Sequence, residues 1–214
     1  MVDSNSIFTQ NHMPAGVGER KILAAAEQLF ADRGYDSVSV SEIAESAGVS
    51  KGNVFHHFRS KESLYLTTLR AAGLRTTEID DDDQEIHSQP PIKRLQSHFC
   101  SQLQQLTRDS QATRLVLREL LDHGSEHSKE LAEDIYADAF AQSVSWAREG
   151  QQTGELRQGF DPGLLAFLLL ASNVFLVQSE AIFKHIEDAT FVGDAEAYSK
   201  AVFDLLLHGV ATKP

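Results

Sequence analysis

The chain has 214 residues, room for one or two domains with a sizeable core, and its 42% hydrophobic and 23% charged content is that of a globular protein rather than a disordered one. Nineteen basic against 31 acidic residues give a net charge of −12, which excludes a protein that wraps nucleic acid with its whole surface but leaves room for a local contact patch. The single cysteine, Cys100, excludes an intrachain disulfide and a four-thiolate zinc site.

Helical periodicity runs almost end to end, with no strand-like alternation. The first dozen residues are polar and lack the basic start and apolar stretch of a signal peptide, so 1–15 reads as a flexible tail. From Glu19, the positions Ile22, Leu23, Ala26, Leu29 and Phe30 share one helical face, and Gly34 follows as a C-cap. Ser39 and Glu42 form a capping box for a short helix through Ile43, Ala44 and Ala47 that stops at Gly48. Ser50 caps the next, through Phe58, and Ser60 a third bearing Leu64, Tyr65, Leu69 and Ala72. Residues 77–91, with Asp80 to Asp83 and two prolines, read as a solvated loop rather than a calcium site, since the ligand pattern and glycine of an EF-hand are missing.

Periodicity resumes at Ile92, Leu95, Phe99, Leu103 and Leu106, then at 115–121. A wide stripe follows at Leu131, Ile135, Tyr136, Phe140, Val144 and Ala147. Asp161-Pro162 opens a helix apolar nearly all round to Phe183, and a last helix carries Tyr198, Ala201, Val202, Leu205 and Leu206. The most apolar stretch, Leu164–Val177, has 14 residues, short for a membrane span, so a soluble cytoplasmic protein without membrane contact is expected. The expected fold is all-α, with about nine helices.

Two short helices joined by the Gly48-Val49 turn meet the minimum requirement of a helix-turn-helix. Residues 40–64, VSEIAESAGVSKGNVFHHFRSKESL, resemble the DNA-binding signature of the TetR/AcrR family of bacterial repressors, and the likeness covers roughly residues 18–66. The resemblance implies an N-terminal three-helix DNA-binding domain (16–62) and a C-terminal helical ligand-binding and dimerisation domain (63–214). It also implies a homodimer that reads a palindromic double-stranded operator and is released by a small effector, without a cofactor. In the recognition helix, Ser50, Lys51, Gly52, Asn53, Phe55, His56 and His57 are the implied DNA contacts, with Asn53 closest to base edges. Ser39, Ser41 and Lys61 would hold phosphates. Phe55 departs from the tyrosine frequent in the family and loses a hydroxyl for phosphate. Residues 1–70 hold seven basic and eight acidic residues, net −1, against 12 − 23 = −11 for the remainder, so the head is less acidic than the body without being basic.

Other patterns carry less. Gly48-Val49-Ser50-Lys51-Gly52 has the spacing of a hydrolase nucleophile elbow, but a helix precedes the serine where that motif needs a strand. With no paired carboxylates and no nucleophile with its base, no enzyme is expected, and a helical enzyme or carrier with a vestigial reading head is the remote alternative. His123 and His127 lack the rest of a metal set, and none is expected. Cys100 has no neighbouring base to activate it. Phe99, Leu103, Tyr136, Phe140, Gln142, Trp146, Asn173 and Gln178 are the expected walls of a largely apolar effector pocket; Arg114 and Arg118 are the only close basic pair on a helix there. Leu165, Leu169, Ser172, Leu176, Val202 and Leu205 are expected at the dimer interface. An activator, or an interaction module on the same fold, remains the alternative function.

Overall fold

Capping residues fix the ends of most elements, and a computed structural model of the chain shows where they act. It describes residues 16–77, 88–122, 127, 129 and 132–210. The N-terminal tail, the acidic run 80–83, His123 and Leu131 lie outside the described residues. Nine α-helices and no strand occur among the described residues: α1 (Val17–Arg33), α2 (Val40–Ala47), α3 (Lys51–His57), α4 (Lys61–Thr77), α5 (Pro91–Arg108), α6 (Ser110–Asp122), α7 (Ala137–Thr153), α8 (Pro162–Phe183) and α9 (Ala195–Val210). A π-helical turn, Ala132–Tyr136, leads into α7. The chain divides into two compact units after Leu69, inside α4.

In the first unit α1, α2 and α3 pack on one another around Ile22, Phe30, Ile43, Val54, Phe58 and Leu64, all buried. Removing each of these large side chains from water contributes about 1.5–3 kcal/mol. Phe30 meets the ring of Tyr65 edge-on at 4.9 Å, and Tyr35 lies 4.8 Å from the same ring, so the start of α4 closes the cluster. Val49, at the turn, is only half-buried.

In the second unit α5 is the central helix and touches α6, α7, α8 and α9. Leu95 and Phe99 from α5, Trp146 and Ala147 from α7, Leu165 and Leu169 from α8 and Phe203 from α9 form its core together with Leu156. Gly150 lets Leu156 tuck under α7: a Cβ there would stand 3.0 Å from a Leu156 methyl carbon. Asp161 caps α8 by accepting from the Gly163 amide at 2.7 Å, with Pro162 in the first turn, as the sequence signals. Pro91 stands in the first turn of α5, which has no side-chain cap, and Thr77 is still helical, so both ends of the expected 77–91 loop belong to helices.

The membrane expectation needs correction on length. The 14-residue stretch is part of a 22-residue helix, α8, long and apolar enough to cross a membrane. Asn173 at its middle is buried and donates to the Phe99 carbonyl at 3.0 Å and to Gln102 Oε1 at 3.1 Å, which ties α8 to α5 as a core helix of the bundle.

Candidate functional site

The reading head is built by two serine caps and one left-handed glycine. The Ser39 hydroxyl accepts from the Glu42 amide at 3.2 Å, and the Ser39 amide donates to the Glu42 carboxylate at 2.8 Å. Arg33 closes the other Glu42 oxygen at 2.8 Å. The Ser39 amide, then its hydroxyl and then Arg33 hold the Glu42 carboxyl down at about 2, so it stays ionised and pinned to the helix start. Gly48, at φ 66° and ψ 35°, ends α2, and the Val49 amide returns to the Ala44 carbonyl at 2.9 Å. Ser50 then starts α3 by accepting from the Asn53 amide at 3.1 Å, which gives its hydroxyl a capping role in a helix-turn-helix rather than that of a nucleophile.

Of the ten expected DNA contacts, Ser39, Ser41, Lys51, Phe55 and Lys61 line a single open groove, with Asp36 and Glu42 also on its wall. Lys61 lies over the Tyr35 ring with its Nζ 4.2 Å from the centroid, and Lys51 Nζ stands 6.0 Å from the Phe55 ring. Phe55 is 45% exposed, a high value for a phenylalanine with no apolar role inside the unit. Gly52, His56 and His57 are exposed as well. Asn53 turns toward the first turn of α1, and the exposed His57 borders it: a Cβ on Gly18 would stand 3.7 Å from Asn53 Oδ1 and 3.6 Å from His57 Nε2. Asn53 Oδ1 is buried and has no partner among the described residues. The two basic groups and the exposed ring thus converge on one face, while the asparagine oxygen does not.

A second candidate site lies in the body. Phe99, Tyr136 and Phe140, from the expected pocket set, line a narrow, partly open cavity in the body. His98, Gln102, Ser143 and Thr77 share its wall and escaped the sequence reading. His98 and Gln102 stand one helical turn apart beside the Leu95–Phe99–Leu103 stripe, and that spacing was the available signal. The structure does not bring the other expected residues to this wall. Leu103 is buried in the bundle, Trp146 is buried with its ring 5.7 Å from that of His98, Gln142 is half-buried, Asn173 is spent on α5, and Gln178 is exposed. Burial brings His98 down to about 4 and pushes Tyr136 up to about 12. Both are uncharged at neutral pH. Cys100 is half-buried on α5, and burial raises its thiol. His127 pairs with the fully buried Glu119 at 2.7 Å. Among the described residues no three His, Cys, Asp or Glu side chains gather as a metal set.

The expected interface residues split by face. Leu165, Leu169 and Leu176 point into their own bundle, Val202 packs against the same core, and the Ser172 carbonyl accepts from the Tyr198 hydroxyl at 2.8 Å. Only Leu205, 76% exposed, faces outward. The open apolar side of α8 is formed instead by Leu164, Phe167, Leu168, Phe175 and Ile182, successive members lying three, one, seven and seven residues apart.

A capped helix-turn-helix whose exposed face gathers two lysines, two serines and an aromatic ring, followed by a helical body with an internal cavity, defines a DNA-reading regulatory protein. The family model "Bacterial regulatory proteins, tetR family" matches residues 22–68. The transcriptional repressor DhaR of Mycobacterium sp. strain GP1 is 30% identical over 152 residues, covering 68% of this chain and 73% of DhaR. The transcriptional regulator RutR of Escherichia coli K12 is 30% identical over 178 residues, covering 77% of each chain. The chain belongs to the tetR family and is a DNA-binding transcriptional regulator. Its fold is also that of FadR from Bacillus subtilis, solved in complex with stearoyl-CoA, with a TM-score of 0.72 at 22% identity over 89% of this chain and 98% of that one.

Proposed function

We propose that the protein acts in the cytoplasm as a homodimeric repressor that reads a palindromic operator and is released from it by a small, largely apolar effector. In this reading residues 16–62 are the DNA-reading domain and 63–214 the ligand-binding and dimerisation domain. The observation that carries the DNA-reading part is the convergence of Ser39, Ser41, Lys51, Phe55 and Lys61 on one groove. Lys51, Lys61 and the serines hold phosphates, which positions the head, and Phe55 and His56 face base edges, which gives sequence preference. Ser50 and Gly52 support the approach of α3, the one as cap and the other by having no side chain. Asn53 acts through the α1–α3 packing, because its enclosed oxygen turns toward Gly18, while the exposed His57 remains free to meet DNA beside His56. Dimerisation rests on the exposed stripe Leu164, Phe167, Leu168, Phe175 and Ile182, with Leu205 from α9, which is too large an apolar face to leave in water. Release by an effector rests on α4, a single helix from Lys61 to Thr77 whose last residue is on the cavity wall. A ligand acts only through differential affinity for the DNA-competent and released states.

Fluorescence anisotropy with the DNA upstream of the protein's own coding region tests the reading. The wild type is expected to prefer that fragment over shuffled sequence, and His56→Ala to lose preference at one or two base positions, by about 1–3 kcal/mol each. Equal affinity for both fragments, or a His56→Ala protein that weakens on both alike, contradicts it. The name of DhaR supports repression over activation. A reporter fused to the same upstream DNA decides the sign.

A further inference from the structure

Phe55 is an apolar side chain held out among polar ones. It is 45% exposed, and the core of its own unit, with Ile43, Val54 and Phe58, does not use it. Among the described residues lining the groove of the reading head, it is the only one both apolar and exposed. Lys51, Gly52, Phe55 and His56 are all exposed and share the outer face of α3, because helical positions three and four apart lie together. The fold itself does not call for a glycine at 52: the nearest atom that a Cβ there would meet is Ser50 Oγ, at an ordinary 3.8 Å. Glycine inside a helix lowers its stability, so the bare backbone fits close approach by something outside the unit, one turn before the Phe55 ring.

We propose that the Phe55 ring packs on the C5 methyl group of a thymine in each half-site, so that the protein senses the pyrimidine methyl itself. This rests on the reading that α3 lies in the major groove of DNA, and it names what the aromatic side chain recognises there. A phenyl ring neither donates nor accepts an ordinary hydrogen bond, so it is blind to the donors and acceptors by which base edges otherwise differ. The thymine methyl is the one apolar group that the four bases present in that groove. Covering it with the ring takes apolar surface of both partners out of water. An amino group or carbonyl oxygen pressed against the ring would instead lose its water with no partner in return.

The neighbours of Phe55 divide the work with it. Lys51 Nζ stands 6.0 Å from the ring centroid, and Lys61 lines the same groove, so the cations take phosphates and set the height at which the ring meets the bases. 5-Methylcytosine carries its methyl at the same ring position as thymine and is expected to be accepted there. Uracil differs from thymine by that methyl alone and is expected to bind more weakly.

Anisotropy titrations of the full-length protein with its own upstream DNA, prepared with thymine or with uracil throughout, test the contact. Loss of one buried methyl per head is expected to weaken binding about fourfold, and about fifteenfold where two heads bind together. Shuffled DNA is expected to differ by less than about twofold between its two forms, which separates the methyl from any change in duplex stiffness. Phe55→Ala is expected to bind the thymine fragment on the order of tenfold more weakly than the wild type and to bring the thymine-to-uracil ratio within about twofold. Single uracil substitutions across the footprinted site are expected to find one sensitive thymine per half-site. At that position 5-methylcytosine paired with guanine is expected to bind about threefold or more tighter than cytosine paired with guanine. Phe55 is exposed and alanine favours a helix, so the variant is expected to fold; Phe55→Gln makes the same comparison should it not. Equal wild-type affinity for the thymine and uracil fragments, with the preference over shuffled DNA intact, overturns the methyl contact and leaves the DNA-reading head standing. A folded Phe55 variant that keeps the full thymine-to-uracil ratio gives the methyl to another side chain and overturns the assignment to Phe55. A wild type without preference for the upstream fragment over shuffled DNA overturns the operator reading and the inference together.

Discussion

Phe175→Glu combined with Ile182→Glu is expected to sediment as a monomer with its helical content intact and to lose roughly a hundredfold or more of its affinity for the upstream DNA. Both side chains are more than 60% exposed, so a glutamate there remains hydrated in the isolated chain and the bundle is not disturbed. In a dimer the same carboxylates would be carried into an apolar contact without partners, and the association would fail. A monomer presents one reading head, so the second half-site no longer adds its contacts to the first. Leu169→Glu is the informative contrast. Leu169 is 3% exposed and belongs to the core with Leu95 and Phe99, so a charge there is expected to unfold the body rather than separate the protomers. Sedimentation and circular dichroism of the two proteins distinguish the outcomes, and a double variant that remains a dimer would show that the stripe on α8 is not the interface.

The second large effect is electrostatic. Lys51→Ala with Lys61→Ala removes two cations from the groove of each head, four from a dimer. The slope of log K against log salt is expected to become shallower by about three to four. Affinity at moderate salt is expected to fall on the order of a hundredfold for operator and random DNA alike, because phosphate contacts carry no sequence information. Lys61 also covers the Tyr35 ring, so the melting temperature of the head is the control that separates lost charge from lost packing. A loss confined to the operator would place these lysines on base edges instead.

The reading head was almost fully legible because its structure is local. Ser39, Glu42, Gly48 and Ser50 act within a few residues of themselves, and each cap is where the sequence signals it. What the sequence could not say was which way Asn53 turns. The answer depends on the first turn of α1, thirty-five positions away at Gly18, against which the asparagine oxygen is enclosed.

The body was legible as helices but not as faces. Helix α8 is apolar nearly all round, so Leu164 and Leu165 look alike in sequence although one is exposed and the other buried. Periodicity marks a face only where polar residues fill the opposite one. The same blindness hid His98 and Gln102, polar residues whose burial depends on α7 and α8 arriving from far along the chain. Asn173 could be expected to need a partner, but only the packing of α8 on α5 makes that partner the Phe99 carbonyl and Gln102.

Whether two copies of the chain read one palindromic site together is measured directly by sedimentation equilibrium of the protein on a footprinted fragment of its own upstream DNA. Two chains per palindromic site are expected, with full affinity only when both half-sites are intact. One chain bound per site, with affinity unchanged after one half-site is scrambled, would contradict paired reading.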